Sequence, residues 1–238
     1  MVKNQKAKRF ISAYNLMDQG LRSIYGMGTS MSYSDVIRKV AEISPIIRKY
    51  KDELLDYGRL RNAIVHKEGE VIIADPNEDV VEKLESIARL VTKPPRVVDS
   101  VPNRQVFTVD ANTPVSSVIQ DLFKTGYSIV PVYRNKVLVG VINRKMLIDS
   151  VGETLLAGVD LETTLAKPVL EVLDLENITS HYEVVASSIT IDNMLYLFNQ
   201  NRKLSVAIIT KNGTYEEQPI GIVTSADVLD MQTILDNY

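Results

Sequence analysis

The chain has 238 residues, with 45% hydrophobic and 24% charged side chains, no Cys, no Trp and two His, His66 and His181. That composition excludes a disulfide framework, a Cys-based zinc or iron–sulfur site, a thiol nucleophile and a His-rich metal cage within one chain. The net charge of −3 conceals a split, because residues 1–67 hold 13 Lys/Arg against 6 Asp/Glu and residues 94–238 hold 11 against 17. Such asymmetry points to two modules with different partners, the basic one facing an anion. No apolar run approaches the ~20 residues of a membrane span. The basic start, MVKNQKAKRF, leads into a mixed helical stretch without the apolar core of a signal peptide. A cytoplasmic location without membrane contact is expected.

Phe10, Tyr14, Met17, Leu21 and Ile24 recur three or four apart, which predicts a helix over 7–25. A loop at 26–30 follows. Ser34 and Asp35 then cap a helix that carries Ile37, Val40 and Ala41. Ser44-Pro45 reads as N-cap and first-turn proline of a helix from Ile46 to about Lys67, with Tyr50, Leu54, Tyr57, Leu60, Ile64 and Val65 along it. Residues 71–77 read as a short extended piece and a turn. Asn77 leads a further helix with Val80, Val81, Leu84, Ile87, Ala88 and Val91, ended by Pro94-Pro95. Residues 1–93 are thus expected to form an all-α bundle of about four helices.

Beyond Pro95 short β-rich runs appear: VFTV at 106–109, SIVPVY at 128–133 and KVLVGVI at 136–142, with a helix from Val115 to Lys124 and a hairpin turn at Arg134-Asn135. The order strand, helix, strand, strand, helix returns over YEVVA at 182–186, Ile191 to Asn201, LSVAIIT at 204–210, PIGIVT at 219–224 and Ala226 to Leu235. Val115 to Ile119 overlays Ile191 to Leu195 at an offset of 76, Ile129 to Val132 overlays Ser205 to Ile208 at the same offset, and Gly140-Val141-Ile142 overlays Gly221-Ile222-Val223 at 81. The extra residues fall in the second hairpin, KNGTYEEQ, where insertion costs little.

This duplicated β-α-β-β-α, with the strand-turn-helix Gly221-Ile222-Val223-Thr224-Ser225-Ala226-Asp227, resembles a tandem pair of CBS motifs, a Bateman module, over 94–238: motif one about 96–150 and motif two about 165–238. The resemblance implies an adenine nucleotide as regulatory ligand, of the AMP, ADP or ATP kind or cyclic di-AMP. It also implies a homodimer. In the pattern Gly-h-h-Thr/Ser-x-x-Asp, Gly221 lets the backbone approach, Thr224 holds phosphate and Asp227 holds the ribose hydroxyls; Ser205 and Val206 complete the expected nucleotide site. Motif one carries Gly140, Asn143 and Met146 instead, and a thioether cannot hold a ribose diol. The competing reading is that Thr224 and Asp227 only cap the last helix.

Arg61-Asn62-Ala63-Ile64-Val65-His66 resembles the Arg-x4-6-His signature of the HEPN family, helical bundles that include metal-independent ribonucleases. The resemblance covers 1–93. It implies attack of a ribose 2′-hydroxyl on the adjacent phosphate, with His66 as base or acid, Arg61 as phosphate clamp and Asn62 as orienting group. Asn62 and His66 are four apart and share a helix face. Arg61 lies about 140° away, toward the apolar stripe, so either Gly58 breaks the helix or Arg61 meets a partner. The other reading is an inactive helical module for dimerisation or RNA binding. His181, at a strand edge, is expected to be a surface histidine, the alternative being that it approaches a ligand's base.

The expected architecture is α+β in two domains, with a HEPN-like helical bundle over 1–93 and a CBS pair over 94–238. The expected role is a nucleotide-sensing regulator of the helical domain. The alternatives are a nucleotide-regulated endoribonuclease, with RNA as partner, and a structural dimeric adaptor with empty CBS clefts. No metal and no obligatory cofactor are expected.

Overall fold

The computed structural model describes residues 4–65, 72, 74–100, 106–173 and 181–237. It divides into two compact units: Met1–Pro95 with Thr190–Asp192 and Ile234–Tyr238, and Arg96–Ile189 with Asn193–Thr233.

The first unit is helical: α1 (Gln5–Tyr25), α2 (Tyr33–Ile43), α3 (Pro45–Lys49), α4 (Lys51–Ile64) and α5 (Glu78–Thr92). Its core joins Phe10, Met17 and Leu21 of α1 to Ile37, Ile47, Leu54, Ile64, Leu84 and Ile87, all essentially without solvent contact. α1 packs along α5, and Arg9 ties the two together through both oxygens of Glu85, at 2.9 and 2.7 Å, and through Glu78. Gly20 faces Thr92, the last residue of α5. Past that point α1 runs on without α5 beside it, which is why Ile24, expected on the buried stripe, is 55% exposed.

Two boundaries differ from the sequence reading. The cap of α2 is Ser32, whose Oγ accepts from the Asp35 amide at 3.2 Å, and not Ser34. The helix expected from Ile46 to Lys67 is two helices, parted at Tyr50. Arg48 donates to the carbonyls of Ala41 and Glu42, which holds the short α3 against the end of α2 and turns the chain before α4 begins. Gly58 does not break α4. It is buried, and a Cβ there would stand 2.8 Å from Cδ1 of Tyr33, so glycine admits an aromatic ring against the helix. His66, Lys67, Val71 and Ile73 lie outside the described residues, and Ile72 forms an isolated antiparallel bridge with Val65.

The second unit holds the repeat. After the one-turn α6 (Val97–Ser100) come β1 (Val109–Asp110), α7 (Val115–Thr125), β2 (Ile129–Arg134), β3 (Val137–Asn143) and α8 (Arg144–Leu156). α9 (Leu161–Ala166) and a 3-10 turn at Val169–Val172 follow, neither of them expected. The second copy is β4 (Tyr182–Ala186), α10 (Ile191–Gln200), β5 (Val206–Thr210), β6 (Gly221–Thr224), a 3-10 turn at Ser225–Asp227 and α11 (Val228–Asn237). Each copy forms a three-stranded sheet in chain order, the first pair parallel around its crossover helix and the second antiparallel. The first hairpin turns at Asn135 and Lys136, both with positive φ, 51° and 68°. Two such residues match the twist of the flanking strands; Arg134, expected in the turn, is paired with Val137.

Strand pairing also corrects the repeat. In the first sheet Ile129 pairs with Asn143 and Val132 with Gly140; in the second Val206 pairs with Thr224 and Ile209 with Gly221. With β3 over β6 at an offset of 81, β2 therefore overlays β5 at 77, so Ile129 answers to Val206 and Ser128 to Ser205. The expected offset of 76 holds for the helix starts, Val115 and Ile191, and one residue enters between helix and strand. Side chains alternate faces along a strand, so that single residue decides which of them face the core. Accordingly Ile129, Val206, Val141 and Ile222 meet in one cluster with Tyr133, Leu138, Tyr182 and Ile208 between the two sheets.

Candidate functional site

Two clefts open on either side of that shared cluster. The Thr224 cleft, about 400 Å³, is lined by Val106, Phe107, Gly126, Tyr127, Ser128 and Ile129 of the first copy and by Ile222, Thr224, Ser225 and Ala226 of the second. The Asn143 cleft, about 390 Å³, is lined by Ile129, Val141, Asn143, Lys145, Met146 and Asp149 of the first copy and by His181, Tyr182, Ser205 and Val206 of the second. Each thus combines the strand-to-helix turn of one copy with the strand starts of the other.

At the Thr224 turn, β6 ends and one 3-10 turn leads into α11. Oδ2 of Asp227 accepts the Thr224 amide and the Thr224 hydroxyl, each at 2.8 Å. The Thr224 side chain in turn accepts the amide of Asp227, which closes a capping box. Asp227 is 5% exposed. Asp227 is not among the residues lining the cleft, and its carboxylate accepts the Thr224 hydroxyl, which leaves Thr224 to offer its oxygen as an acceptor. The first-turn amides beside it, at Ser225 and Ala226, have no carbonyl one turn earlier to bond, which makes them donors for an anion. At the Asn143 turn, Oδ1 of Asn143 accepts the Met146 amide at 2.9 Å and caps α8, with Met146 standing where the second copy has Asp227. Nδ1 of the exposed His181 donates to the Lys203 carbonyl at 3.2 Å.

The five residues expected to form one nucleotide site do not come together. Thr224 lines one cleft; Ser205 and Val206 line the other, across from Asn143. Gly221 lines neither. It lies opposite Ile209, whose side chain would be 3.4 Å from a Cβ there. The partners of Thr224 across its cleft are Ser128, Ile129, Tyr127 and Phe107, which sequence reading missed. The signal was available in the one-residue difference between α7–β2 and α10–β5, since the 77 offset puts Ser128 in Ser205's place.

In the helical unit, Arg61 is half-buried and Asn62 exposed on α4. His66 lies outside the described residues. Of the explanations for Arg61, the helix break is excluded because α4 is continuous, and no described carboxylate of the same chain lies within ion-pair distance; a second subunit is the partner that remains. Arg61 instead sits near Tyr14. Burial pushes the Tyr14 hydroxyl up to about 12 and Asp18 adds to it, while Arg61 and Arg22 pull the other way.

Residues 98–153 match the family described as CBS domain. No curated protein matches the chain. Among solved structures, the CBS domain of a bacterial CNNM/CorC family Mg2+ transporter, in complex with ATP, is 23% identical, with a TM-score of 0.45 over 66% of this chain and 98% of that one. CBSX2 in complex with AMP is 19% identical, with a TM-score of 0.44 over 60% and 98%. A CBS-domain containing protein from Agrobacterium tumefaciens is 17% identical, with a TM-score of 0.44 over 58% and 92%. Among the described residues no acidic or imidazole cluster could hold a metal ion, and no helix is long and apolar enough to cross a membrane.

Proposed function

We propose that this protein is a regulator that senses an adenine nucleotide in its CBS module and passes occupancy to the helical unit. The observation that supports this most is the Thr224 cleft: a strand-to-helix turn with a buried carboxylate, a fixed hydroxyl and donor amides, facing the aromatic side chains of Phe107 and Tyr127. A base stacks on the rings, ribose hydroxyls meet the acceptor oxygens of Thr224 and Asp227, and a phosphate meets the amides. Isothermal titration with AMP, ATP and cyclic di-AMP tests the reading. At least one binds the wild type, and Asp227→Asn, which keeps the shape but not the charge, weakens it about tenfold or more, as loss of charged hydrogen bonds should. No binding, or equal binding by the variant, rejects it. A homodimer belongs to the same reading, supported by the apolar side chains exposed on α7 and α8, among them Phe123 at 88% and Leu156 at 91%. Light scattering that returns the monomer mass rejects that part.

A second reading, a metal-independent endoribonuclease using Arg61, Asn62 and His66, draws on one observation: a half-buried guanidinium without a carboxylate among the described residues. Such a group suits an anionic substrate. RNA cleaved in EDTA to 2′,3′-cyclic phosphate ends, and left intact by His66→Ala, supports it; undiminished cleavage by that variant rejects it.

A further inference from the structure

The two clefts are related by the repeat, yet their chemistry differs. Opposite Ser128 and Ile129, the Thr224 cleft carries Thr224, Ser225 and Ala226; opposite Ser205 and Val206, the Asn143 cleft carries Asn143 and Lys145. At the offset of 81, Ala226 stands where Lys145 stands. The described lining of the Thr224 cleft therefore has no Lys, Arg or His, whereas that of the Asn143 cleft has His181 and Lys145, the latter ion-paired with Asp149 of the same cleft. Arg144 donates to the carbonyls of Leu122 and of the cleft residue Tyr127, each at 3.1 Å. Asp227, bonded to Thr224 of the cleft, adds a buried negative charge. Residues 94–238 as a whole carry six more acidic than basic side chains.

Phosphate recognition ordinarily recruits Arg or Lys, because charge-assisted bonds must replace the water around each anionic oxygen. A few backbone amides satisfy one phosphate; they leave the second and third uncompensated, and the surrounding acidic surface opposes them. Resting on the adenine-binding reading above, we infer that the Thr224 cleft selects a weakly charged adenosine compound, a nucleoside or a monophosphate, over a triphosphate. The base and ribose carry the recognition, and the added phosphates contribute repulsion.

The test is a titration series on the full chain, so that residues outside those described, Arg104 included, are present. Adenosine, AMP and ATP are measured under one buffer, then again for Ala226→Lys, which gives this cleft the cation its counterpart holds. In the wild type adenosine or AMP binds at least about tenfold more tightly than ATP, and Ala226→Lys raises the ATP-to-adenosine affinity ratio about tenfold or more. ATP binding more tightly than adenosine in the wild type overturns the inference and leaves the sensing reading standing. An unmoved ratio in Ala226→Lys overturns the assignment to this cleft. Binding of none of the three overturns the inference, and cyclic di-AMP failing as well overturns the sensing reading with it.

Discussion

Tyr33 lays its ring over the α-carbon of Gly58 and 4.6 Å, centre to centre, from the ring of Tyr14. Its hydroxyl is buried and has no hydrogen-bond partner among the described residues. An unpaired buried hydroxyl costs about 1–3 kcal/mol, which the ring's own burial must offset. Tyr33→Phe is therefore expected to stabilise the protein by about 1 kcal/mol, read as a higher urea midpoint at unchanged slope. A lower midpoint would show that the hydroxyl is satisfied. The same pair shows why single residues are hard to read from a sequence. Gly58 was legible as an anomaly inside a helix, but a glycine marks either a break or a close contact. Only the position of Tyr33, 25 residues earlier, selects between them. Thr224 and Asp227 are a parallel case: both the cap and the binding role were legible, and the observed capping box establishes the first while leaving the second to titration.

At the scale of elements, periodicity made α1, α2, α5, α7, α10 and α11 legible, because apolar spacing of three and four follows directly from backbone geometry, whereas α8 carries little such pattern and was given no bounds. Ends and short pieces were less legible. α3 and α4 share one apolar stripe in sequence, and their separation rests on Arg48 reaching the carbonyls at the end of α2. β1 is only Val109–Asp110 where VFTV was expected. The candidate site suffered most from a small error of this kind. An alignment of β2 with β5 that is one residue off keeps the hydrophobic character of both strands and still assigns Ser205 to the wrong cleft. Hydrogen-bond register, which no composition records, supplies the missing residue.

For the molecule as a whole, buried phenols dominate the response to alkali. Burial pushes Tyr14 of the first unit and Tyr182 of the second up to about 12, and it raises Tyr33, Tyr57 and Tyr133 as well. Unfolded tyrosine ionises near 10. The folded chain thus keeps protons that the unfolded chain has released, so this contribution to stability is whole below pH about 10 and is lost as pH rises toward 12. Urea midpoints are expected to fall steadily from about pH 10 upward, and Tyr14→Phe to lessen that fall. A midpoint independent of pH over this range would contradict the burial of these hydroxyls. The chain has no Trp, so phenolate absorbance reports the same transition directly.

Ile129 lines both clefts, one on each side of its strand start. A wall held in common makes the two spaces competitors for one side chain's position: an occupant that shifts Ile129 toward its neighbour shrinks the other volume, and one that draws it closer enlarges it. Whatever free energy the first occupant spends or gains in this way, the second experiences in equal measure, since thermodynamic coupling between two binding events is reciprocal. Under the proposed nucleotide-sensing role, Ile129 is the side chain through which occupancy of one cleft would reach the other.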